Sequence, residues 1–344
     1  MDLNNDIINK FSDLLDEATM VYYNALNNED DDERKGYENA NYLKCLSEVI
    51  DIFLHLDNHH LFDLEKEELE KLYHYFNELE SFKINQEELR KALLFLEIKG
   101  FKQLHFPLDL ITPDAVGVIF QTLIDEVAKK MIDNKNKKYT LLDPNFGVGN
   151  LAFVIDNFSQ YNAEIWGIEN NQLLAMYACS KINLMMKDTT IYNQDALAFR
   201  ALKSEPLIVA SDVACYDVDE NTNSNIIPGV KYFPYLLIYH YLEIAPFDSY
   251  FFYLVDTSFF SQKGSDKFKE KIASTAEIIA LVVLPSTFFL NETKMILILK
   301  KVDKKVIAIS NKASFAANVF MLPPLVEKEK FKETIENIKA YLED

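Results

Sequence analysis

The sequence predicts an α/β chain in which a doubly wound, mostly parallel sheet follows an all-helical N-terminal domain. Two observations lead to this prediction. After about residue 105, short apolar or β-branched runs alternate with helical stretches, which is the pattern of βαβ units. Before that point, apolar residues recur at three- and four-residue spacing, which is typical of helices. We therefore expect a helical domain over residues 1–104 and a sheet domain over residues 105–344.

The N-terminal part is amphipathic and strongly acidic. Asn85 before its last helical segment predicts a helix start, and Gly100 predicts a helix stop. Residues 1–100 hold 24 acidic against 10 basic side chains, a net charge of −14 out of −19 for the whole chain. Such an acidic helical surface is a candidate binding face for a protein partner. The helical segments are IINKFSDLLDEATMVYYNAL, YLKCLSEVIDIFLHL, EELEKLYHYFNELE and INQEELRKALLFLEIKG.

The second part opens with a helix start and continues as a strand series. Thr112-Pro113 suits the first turn of a helix. The peptide STFFLNET between the last two strands is too short for a helical crossover, so we expect the final strand to pair antiparallel. Helices are expected from about Gly149, Asn171, Tyr232 and Ser265. The predicted strands are YTLLD, AEIWGIE, TIYNQD, LIVASD, YFFYLVD, IIALVVLP and KMILILKK.

Acidic residues mark the ends of the first three strands. Open α/β sheets bind ligands beyond the carboxyl ends of their strands. Asp143 closes the first strand in LLDPNFGVGN, where Gly147 and Gly149 permit a tight turn and close backbone approach to a ligand. Glu169 closes the second strand and suits hydrogen bonding to ribose hydroxyls, and Asp195 is placed to accept from an adenine amino group. The turn has neither GxGxxG nor GK[ST] spacing, so it favours a nucleoside over a pyrophosphate.

These motifs resemble those of a known family. Thr112-Pro113, DPNFGVGN for the pattern DPxxGxGN, Glu169 and Asp195 follow the motif order of class I S-adenosylmethionine-dependent methyltransferases of the N6-adenine type. The chain is similar to their YtxK-like members, which also carry a helical N-terminal domain, and the likeness covers roughly residues 100–344 well. It implies S-adenosylmethionine as the cofactor. The implied cofactor-binding residues are Thr112, Asp143, Pro144, Phe146, Gly147, Gly149, Asn150, Glu169, Asn170, Asp195 and Ala196.

The same resemblance implies a methyl-acceptor site in LIVASDVACYD. Adenine-type enzymes place [DNS]-P-P-[FYW] there, so that a side chain and a backbone carbonyl accept the amine hydrogens while the aromatic ring stacks on a flipped base. Here Asp212 is followed by Val213, Ala214 and Cys215, and Tyr216 comes one place late. We expect Asp212 to orient the acceptor amine and Tyr216 to supply the ring. Because both prolines are missing, a catalytically inert site is the alternative.

The net charge and the arginine and lysine content limit which binding partners are expected. Only −5 of the net charge falls after residue 100, so the charge does not exclude a nucleic-acid substrate. The resemblance implies DNA bearing the target adenine as the partner; RNA, protein or a small-molecule nitrogen is the alternative. Three arginines in the whole chain give specific duplex readout no support. Ten lysines lie between Ser258 and Lys312; a nucleic-acid acceptor is favoured if they line the cleft of Asp212 and disfavoured if they scatter.

Cysteine and histidine usage predicts no metal site and no disulfide framework. The three cysteines and six histidines show no metal-ligand spacing. The N-terminus lacks a signal-peptide pattern, and no apolar run approaches the roughly 18–20 residues that span a bilayer. We therefore expect a cytoplasmic protein that does not insert into a membrane.

Overall fold

The computed structural model divides the chain into two compact units. The first comprises Met1–Ile111 and Asn171–Ile191, and the second comprises Thr112–Asn170 and Tyr192–Asp344. Residues 105–111 and 171–191 thus belong to the first unit, although the sequence counts them with the sheet; the division at residue 104 stays a prediction. The structure describes residues 3–27, 40–55, 64–132, 138–200, 202, 204–219, 226–289, 293–303 and 317–343.

Helices make up most of the first unit. Asn4, Asn41 and Asn85 each accept hydrogen bonds from backbone N–H groups of the turn that follows, which explains where three of these helices begin. The predicted stop at Gly100 is wrong, because Gly100 lies inside its helix and a Cβ there would stand only 3.3 Å from Leu43. The helices are α1 (Asn5–Leu26), α2 (Tyr42–Phe53), α3 (Lys66–Glu80), α4 (Gln86–Gln103) and α7 (Gln172–Met185).

Buried charges join α4 to α7 within this unit. Lys181 Nζ donates to Glu97 Oε1 at 2.6 Å, and the Tyr177 hydroxyl donates to the same oxygen at 2.9 Å. Both side chains of the ion pair are fully buried. Burial lowers the pKa of the Lys181 ammonium, and the Glu97 carboxylate opposes that shift. Because a buried charge without its partner is strongly destabilising, this pair fixes α7 against α4.

The second unit carries the sheet except for the start of β3, and the strand order is β3-β2-β1-β4-β5-β7-β6-β8. All seven predicted strands are present. β1, β2, β4 and β5 pair in parallel, and β7 runs antiparallel to both β5 and β6, as predicted. β8 is an unpredicted eighth strand, short and largely exposed, that pairs with β6. The strands are β1 (Lys138–Asp143), β2 (Asn162–Glu169), β3 (Thr189–Asn193), β4 (Ile208–Asp212), β5 (Tyr250–Asp256), β6 (Ala276–Val283), β7 (Lys294–Lys301) and β8 (Asn318–Met321).

Helices cover the central strands, which are buried on both faces. Phe251, Tyr253 and Val255 of β5 share one hydrophobic core with the helix that follows β4. Phe252 and Leu254 alternate with them and are equally buried, so they face the opposite layer. The helices of this unit begin within one residue of the predicted starts where a start was predicted. They are α5 (Asp114–Met131), α6 (Asn150–Phe158), α8 (Phe233–Ile244), α9 (Ser265–Ile272) and α10 (Lys328–Glu343).

The described residues contain neither a membrane-spanning helix nor a metal-binding cluster. No helix in those ranges combines the length and the apolar character that crossing a membrane requires. In the same ranges, no group of three or more His, Cys, Asp or Glu side chains is arranged to hold a metal ion.

Close packing of α5 on α6 generates a stability prediction. A Cβ at Gly117 would lie 2.6 Å from Val154 Cγ1 and 2.8 Å from Val154 Cβ. We expect Gly117→Ala to lower the free energy of unfolding by about 1–3 kcal/mol, because overpacking outweighs the helix-propensity gain of about 1 kcal/mol. Denaturant unfolding measures this. Adding Val154→Ala should recover part of the loss, whereas a stabilised Gly117→Ala variant would contradict the close approach.

Candidate active site

The parallel strands β1, β2 and β4 each end in an acid at one edge of the sheet, and a fourth acid follows β3. Asp143 ends β1, Glu169 ends β2, Asp212 ends β4, and Asp195 follows β3 by two residues. The strand order reverses beside β1, where the chain returns from β3 to form β4 on the other side. Ligand crevices of open α/β sheets lie at this reversal point. The structure therefore brings the predicted acidic residues to the edge where a ligand is expected.

The glycine turn after β1 has the backbone geometry that its sequence predicts. Gly147 and Gly149 have φ angles of 56° and 77°, in the left-handed region that favours glycine. A Cβ at Gly149 would lie 2.6 Å from the buried Phe146 ring, whereas a Cβ at Gly147 meets nothing within 4 Å. The Gly147 N–H donates to Glu169 Oε2 at 2.9 Å. The turn is thus linked to the end of β2 and presents open backbone at Gly147.

Asp143 lies buried beneath this turn, next to the buried Pro144. Its Oδ1 accepts from the Ser211 hydroxyl at 2.7 Å and from the Asn145 N–H at 3.0 Å. Burial raises the pKa of Asp143 to about 7, although these two hydrogen bonds lower it, and the charges of Asp212 and Glu169 raise it further. Ser211, which the sequence analysis did not single out, therefore joins the ends of β1 and β4.

Thr112 connects the glycine turn to the predicted acceptor residue. Asn150 Nδ2 donates to the Thr112 carbonyl at 2.8 Å. The Thr112 hydroxyl donates to Asp212 Oδ2 at 3.0 Å. The resemblance assigns Thr112 to the cofactor, but the hydrogen bond of its hydroxyl is to the acceptor-side carboxylate. This contact adds a structural role that the motif alone does not indicate.

A cavity of about 340 Å³ opens beside these strand ends. Asn170 and Asp195 line it, as the resemblance predicts for cofactor-binding residues, together with the Tyr216 and Phe233 rings. Ala196 is buried, and its carbonyl accepts from the Tyr241 hydroxyl at 2.9 Å. The cavity volume lies at the lower end of the roughly 300–1,000 Å³ of small-molecule sites. The lining residues are Asn170, Asp195, Leu197, Tyr216, Asp217, Val218, Asp219 and Phe233.

The Tyr216 ring lies on the Asp195 side of the site. It stacks on Phe233 with ring centroids 4.6 Å apart and an interplanar angle of 15°. The Tyr216 residue is 47% exposed. Burial raises the pKa of Tyr216 to about 12, and the charges of Asp195 and Glu169 add to the shift. The ring is therefore near the two acids predicted to hold a nucleoside.

The acceptor segment is held by hydrogen bonds in place of the missing prolines. The Val213 N–H donates to the Leu254 carbonyl at 3.2 Å, and Asn145 Nδ2 donates to the Asp212 carbonyl at the same distance. Further along, the Tyr216 carbonyl accepts from the Phe233 N–H at 2.8 Å. Both ends of the segment are thus anchored. Part of the polar stretch that follows, residues 220–225, lies outside the described residues.

Lys294 is a site residue that the sequence analysis missed as such. Its Nζ lies 3.1 Å from Asp212 Oδ1, and both side chains are 15% exposed. The sequence contains a signal for this residue, because an antiparallel final strand begins at the edge of the sheet where its parallel neighbours end. Lys294 is the first residue of that strand. The predicted acceptor carboxylate is therefore part of an ion pair.

The remaining lysines of the basic segment are spread out. Lys300 and Lys301 are paired with the first residues of β5 and β6, at the opposite edge of the sheet from Asp212. Lys267 donates to the Pro228 carbonyl, and Lys271 lies over the Tyr239 ring. Lys304, Lys305 and Lys312 lie outside the described residues. The described lysines give a nucleic-acid surface at this cleft little support.

Comparisons with known proteins bear on the fold. No protein-family model matches the sequence. A stretch of 213 residues is 29% identical to the uncharacterized Bacillus subtilis protein YtxK and covers 58% of this chain, but only 61% of that protein's length. A Listeria monocytogenes structure, provisionally assigned as a class I S-adenosylmethionine-dependent methyltransferase, matches with a TM-score of 0.78 and 24% identity over 98% of this chain and 100% of that one. The chain has the methyltransferase fold.

A second solved structure has a similar fold. The methyltransferase subunit of a type I restriction-modification system from Streptococcus thermophilus matches with a TM-score of 0.59 and 13% identity, over 90% of this chain and 72% of that one. At these identities the match concerns the fold. The resemblance inferred from the motifs is therefore confirmed at the level of the methyltransferase fold.

The buried carboxyl of Asp143 generates a pH prediction. Its pKa is about 7 in the folded protein against an ordinary value of 3.8, so between these values the folded state binds more protons than the unfolded state. The contribution of this group to stability is thus present at low pH and is lost as pH rises toward 7. At about 1.4 kcal/mol per pH unit, the loss is on the order of 4 kcal/mol.

The measurement compares wild type with Asp143→Asn by denaturant unfolding at several pH values. The amide oxygen can accept both hydrogen bonds that Oδ1 accepts, so the variant is a close match. We expect wild-type stability to fall relative to the variant from pH 4 to pH 7. A difference that does not change with pH would show that Asp143 titrates normally.

Proposed function

We propose that this chain is an S-adenosylmethionine-dependent N-methyltransferase, with the exocyclic amine of adenine as its leading acceptor. One observation supports this most directly. The open glycine turn is hydrogen-bonded to Glu169, at the reversal point of a methyltransferase fold, beside both a nucleoside-sized cavity and Asp212. No family model matches and the curated relative is uncharacterized, so the proposed function depends on this arrangement of residues.

The residues present fit the cofactor. Gly147 offers backbone that a ligand can approach, since a Cβ there would meet nothing. Among the described residues, the cavity lining has acids and aromatic rings and no lysine or arginine, which suits a nucleoside with a cationic centre better than a phosphate. We assign Glu169 to the ribose hydroxyls, Asp195 to the adenine amine, and the turn from Asp143 to Gly149 to the methionine portion.

Tyr216 receives a different role from the one that its motif implies. Its ring shares a cavity with Asp195 and is backed by Phe233. We assign it to stacking on the purine of the cofactor, since an aromatic face next to the adenine-binding acid is suited to that contact. The acceptor would then be held mainly through Asp212.

Asp212 carries the proposed acceptor chemistry. When bound, the cofactor would supply an electrophilic methyl group, which the nitrogen lone pair would take up while the sulfonium becomes a neutral thioether. Asp212 accepts an N–H hydrogen of the acceptor, which orients the lone pair, and its negative charge stabilises the positive charge that develops on nitrogen. The proton that the nitrogen loses passes from this hydrogen bond to water. The hydrogen bond from Thr112 keeps the carboxylate in place.

A second candidate keeps the cofactor and changes the acceptor. Asp217 and Asp219 at the cavity are exposed acids, and Lys300 and Lys301 lie at the far edge of the sheet. A phosphate backbone would be repelled by this distribution of charge. These observations support an uncharged or cationic nitrogen, in a protein or a small molecule, as the second candidate acceptor.

Cofactor binding and methyl transfer test the proposal separately. We expect calorimetry to show S-adenosylmethionine binding that Glu169→Ala weakens by about 10- to 150-fold, the value of a charge-assisted hydrogen bond of about 1.5–3 kcal/mol. Asp212→Asn should retain binding and lose transfer of labelled methyl groups. Asp248→Asn, an exposed acid paired with Lys300 at the opposite edge, serves as the matched control.

The acceptor is identified by the fraction that takes up label. DNA, RNA, extracted protein and extracted small molecules are offered in parallel with labelled cofactor. Label in adenine supports the leading acceptor, and label in protein or small molecules supports the second candidate. Binding without label in any fraction would contradict methyl transfer, and no binding would contradict the proposal altogether.

Tyr216 gives a prediction that distinguishes its two roles. If the ring stacks on the cofactor, Tyr216→Ala should raise the Kd for S-adenosylmethionine by about 5- to 150-fold, since base–aromatic stacking contributes about 1–3 kcal/mol. Tyr216→Phe should bind like wild type, because the ring is kept. A Tyr216→Ala variant with normal cofactor affinity and a raised KM for the acceptor would instead assign the ring to the target base.

A further inference from the structure

Lys294 reaches the proposed acceptor residue from a separate part of the chain. It begins β7, which runs antiparallel to β5, and its register partner there is Asp256. The side chain passes beyond β5 to the end of β4, where Nζ lies 3.1 Å from Asp212 Oδ1. Asp212 is therefore contacted on one oxygen by Lys294 and on the other by Thr112.

The environment of Lys294 keeps its ammonium charged. Burial opposes the charge, but Asp212 and its hydrogen bond outweigh burial, and Asp256 adds to their effect, so the pKa of Lys294 is raised. The ammonium also lies 5.7 Å from the centre of the Phe289 ring, within the range of a cation–π contact. A lysine held in this state is a poor proton acceptor, which excludes it as the base of the reaction.

We propose that Lys294 is a positioning residue that holds Asp212 ionised and in a fixed orientation for the acceptor nitrogen. The inference deepens the proposed function, on which it rests. An ionised carboxylate has about four acceptor sites, so the contacts with Lys294 and Thr112 do not saturate it. In adenine-type motifs rigid prolines fix the acceptor geometry; here the ion pair fixes the side chain while backbone hydrogen bonds fix the main chain.

The charge around Asp212 makes this role necessary. The charge of Asp212 raises the pKa of Asp143 at the end of β1, so the two carboxyl groups repel each other when both are ionised. Asp256 at the end of β5 and the neighbouring thiol of Cys215 interact with the same lysine. Among the described residues, Lys294 is a cation that interacts with Asp212, Asp256 and Cys215 at this strand end. Without Lys294, the repulsion between Asp212 and Asp143 would lack this opposing cation, and protonation of Asp212 would weaken its ability to accept the amine hydrogen.

The experiment compares Lys294→Met, Lys294→Gln and Lys294→Arg with a control on the same strand. Lys300→Met is that control, since Lys300 forms an ion pair with Asp248 at 2.9 Å at the other edge. Three quantities are measured: S-adenosylmethionine affinity, kcat with the acceptor, and the protonation of Asp212. The last is followed by carbon NMR of labelled aspartate side chains, with Asp212→Asn identifying the signal.

We expect Lys294→Met and Lys294→Gln to bind the cofactor normally, to lose on the order of 100-fold in kcat, and to protonate Asp212 at a pH about 1–3 units higher than wild type. Lys294→Arg should restore most of the activity, and Lys300→Met should resemble wild type. An unchanged Asp212 titration in folded Lys294→Met and Lys294→Gln would overturn the positioning role. Because the titration needs neither cofactor nor turnover, failure of the proposed function would appear separately, as absent binding.

Discussion

The hydrogen bond from the Ser211 hydroxyl to Asp143 is the contact on which the rest of the site depends. It joins the ends of β1 and β4, the two strands between which the order of the sheet reverses. Asp143 also accepts from the backbone of the glycine turn, and Ser211 directly precedes Asp212. One buried carboxyl therefore contacts both the start of the turn and the residue before the proposed acceptor acid. Any displacement there would reach both halves of the site.

The strand ends concentrate negative charge. Asp143, Glu169 and Asp195 lie at or just after the ends of β1, β2 and β3, and burial raises the pKa of Asp143 to about 7. A cationic ligand would relieve the repulsion between these groups, whereas a phosphate would increase it. The electrostatics thus select the kind of ligand before any single hydrogen bond is considered. Lys294, at the acceptor end, balances Asp212 without extending positive charge into the cavity.

The sheet could be predicted from the sequence because buried parallel strands are continuous apolar runs with polar ends. The same logic located Asp143, Glu169 and Asp212 at one edge. It failed for β8, which is short and exposed, and so has no apolar run to detect. It also failed for Gly100, where close contact with α2, which no local pattern reveals, places a glycine inside a helix.

Site contacts between distant segments were harder to predict. Lys294 is 82 residues from Asp212, and its role depends on the antiparallel register of β7, which places one lysine of that strand at the site and two at the opposite edge. Tyr216 could be recognised as an aromatic residue near a motif, but its direction depends on packing against Phe233. Residue type was visible in the sequence, whereas side-chain direction required the fold.

The buried pair between Lys181 and Glu97 has a consequence for how the chain can be divided. α7 lies in sequence between β2 and β3, yet its buried lysine finds its carboxylate on α4, before residue 104. A polypeptide starting at residue 105 would retain the lysine and lose its partner, leaving an uncompensated charge in the connection between two sheet strands. The N-terminal helices therefore cannot be removed without destabilising the rest of the chain. α4 supplies the carboxylate that pairs with the buried lysine of α7, and α7 connects β2 to β3.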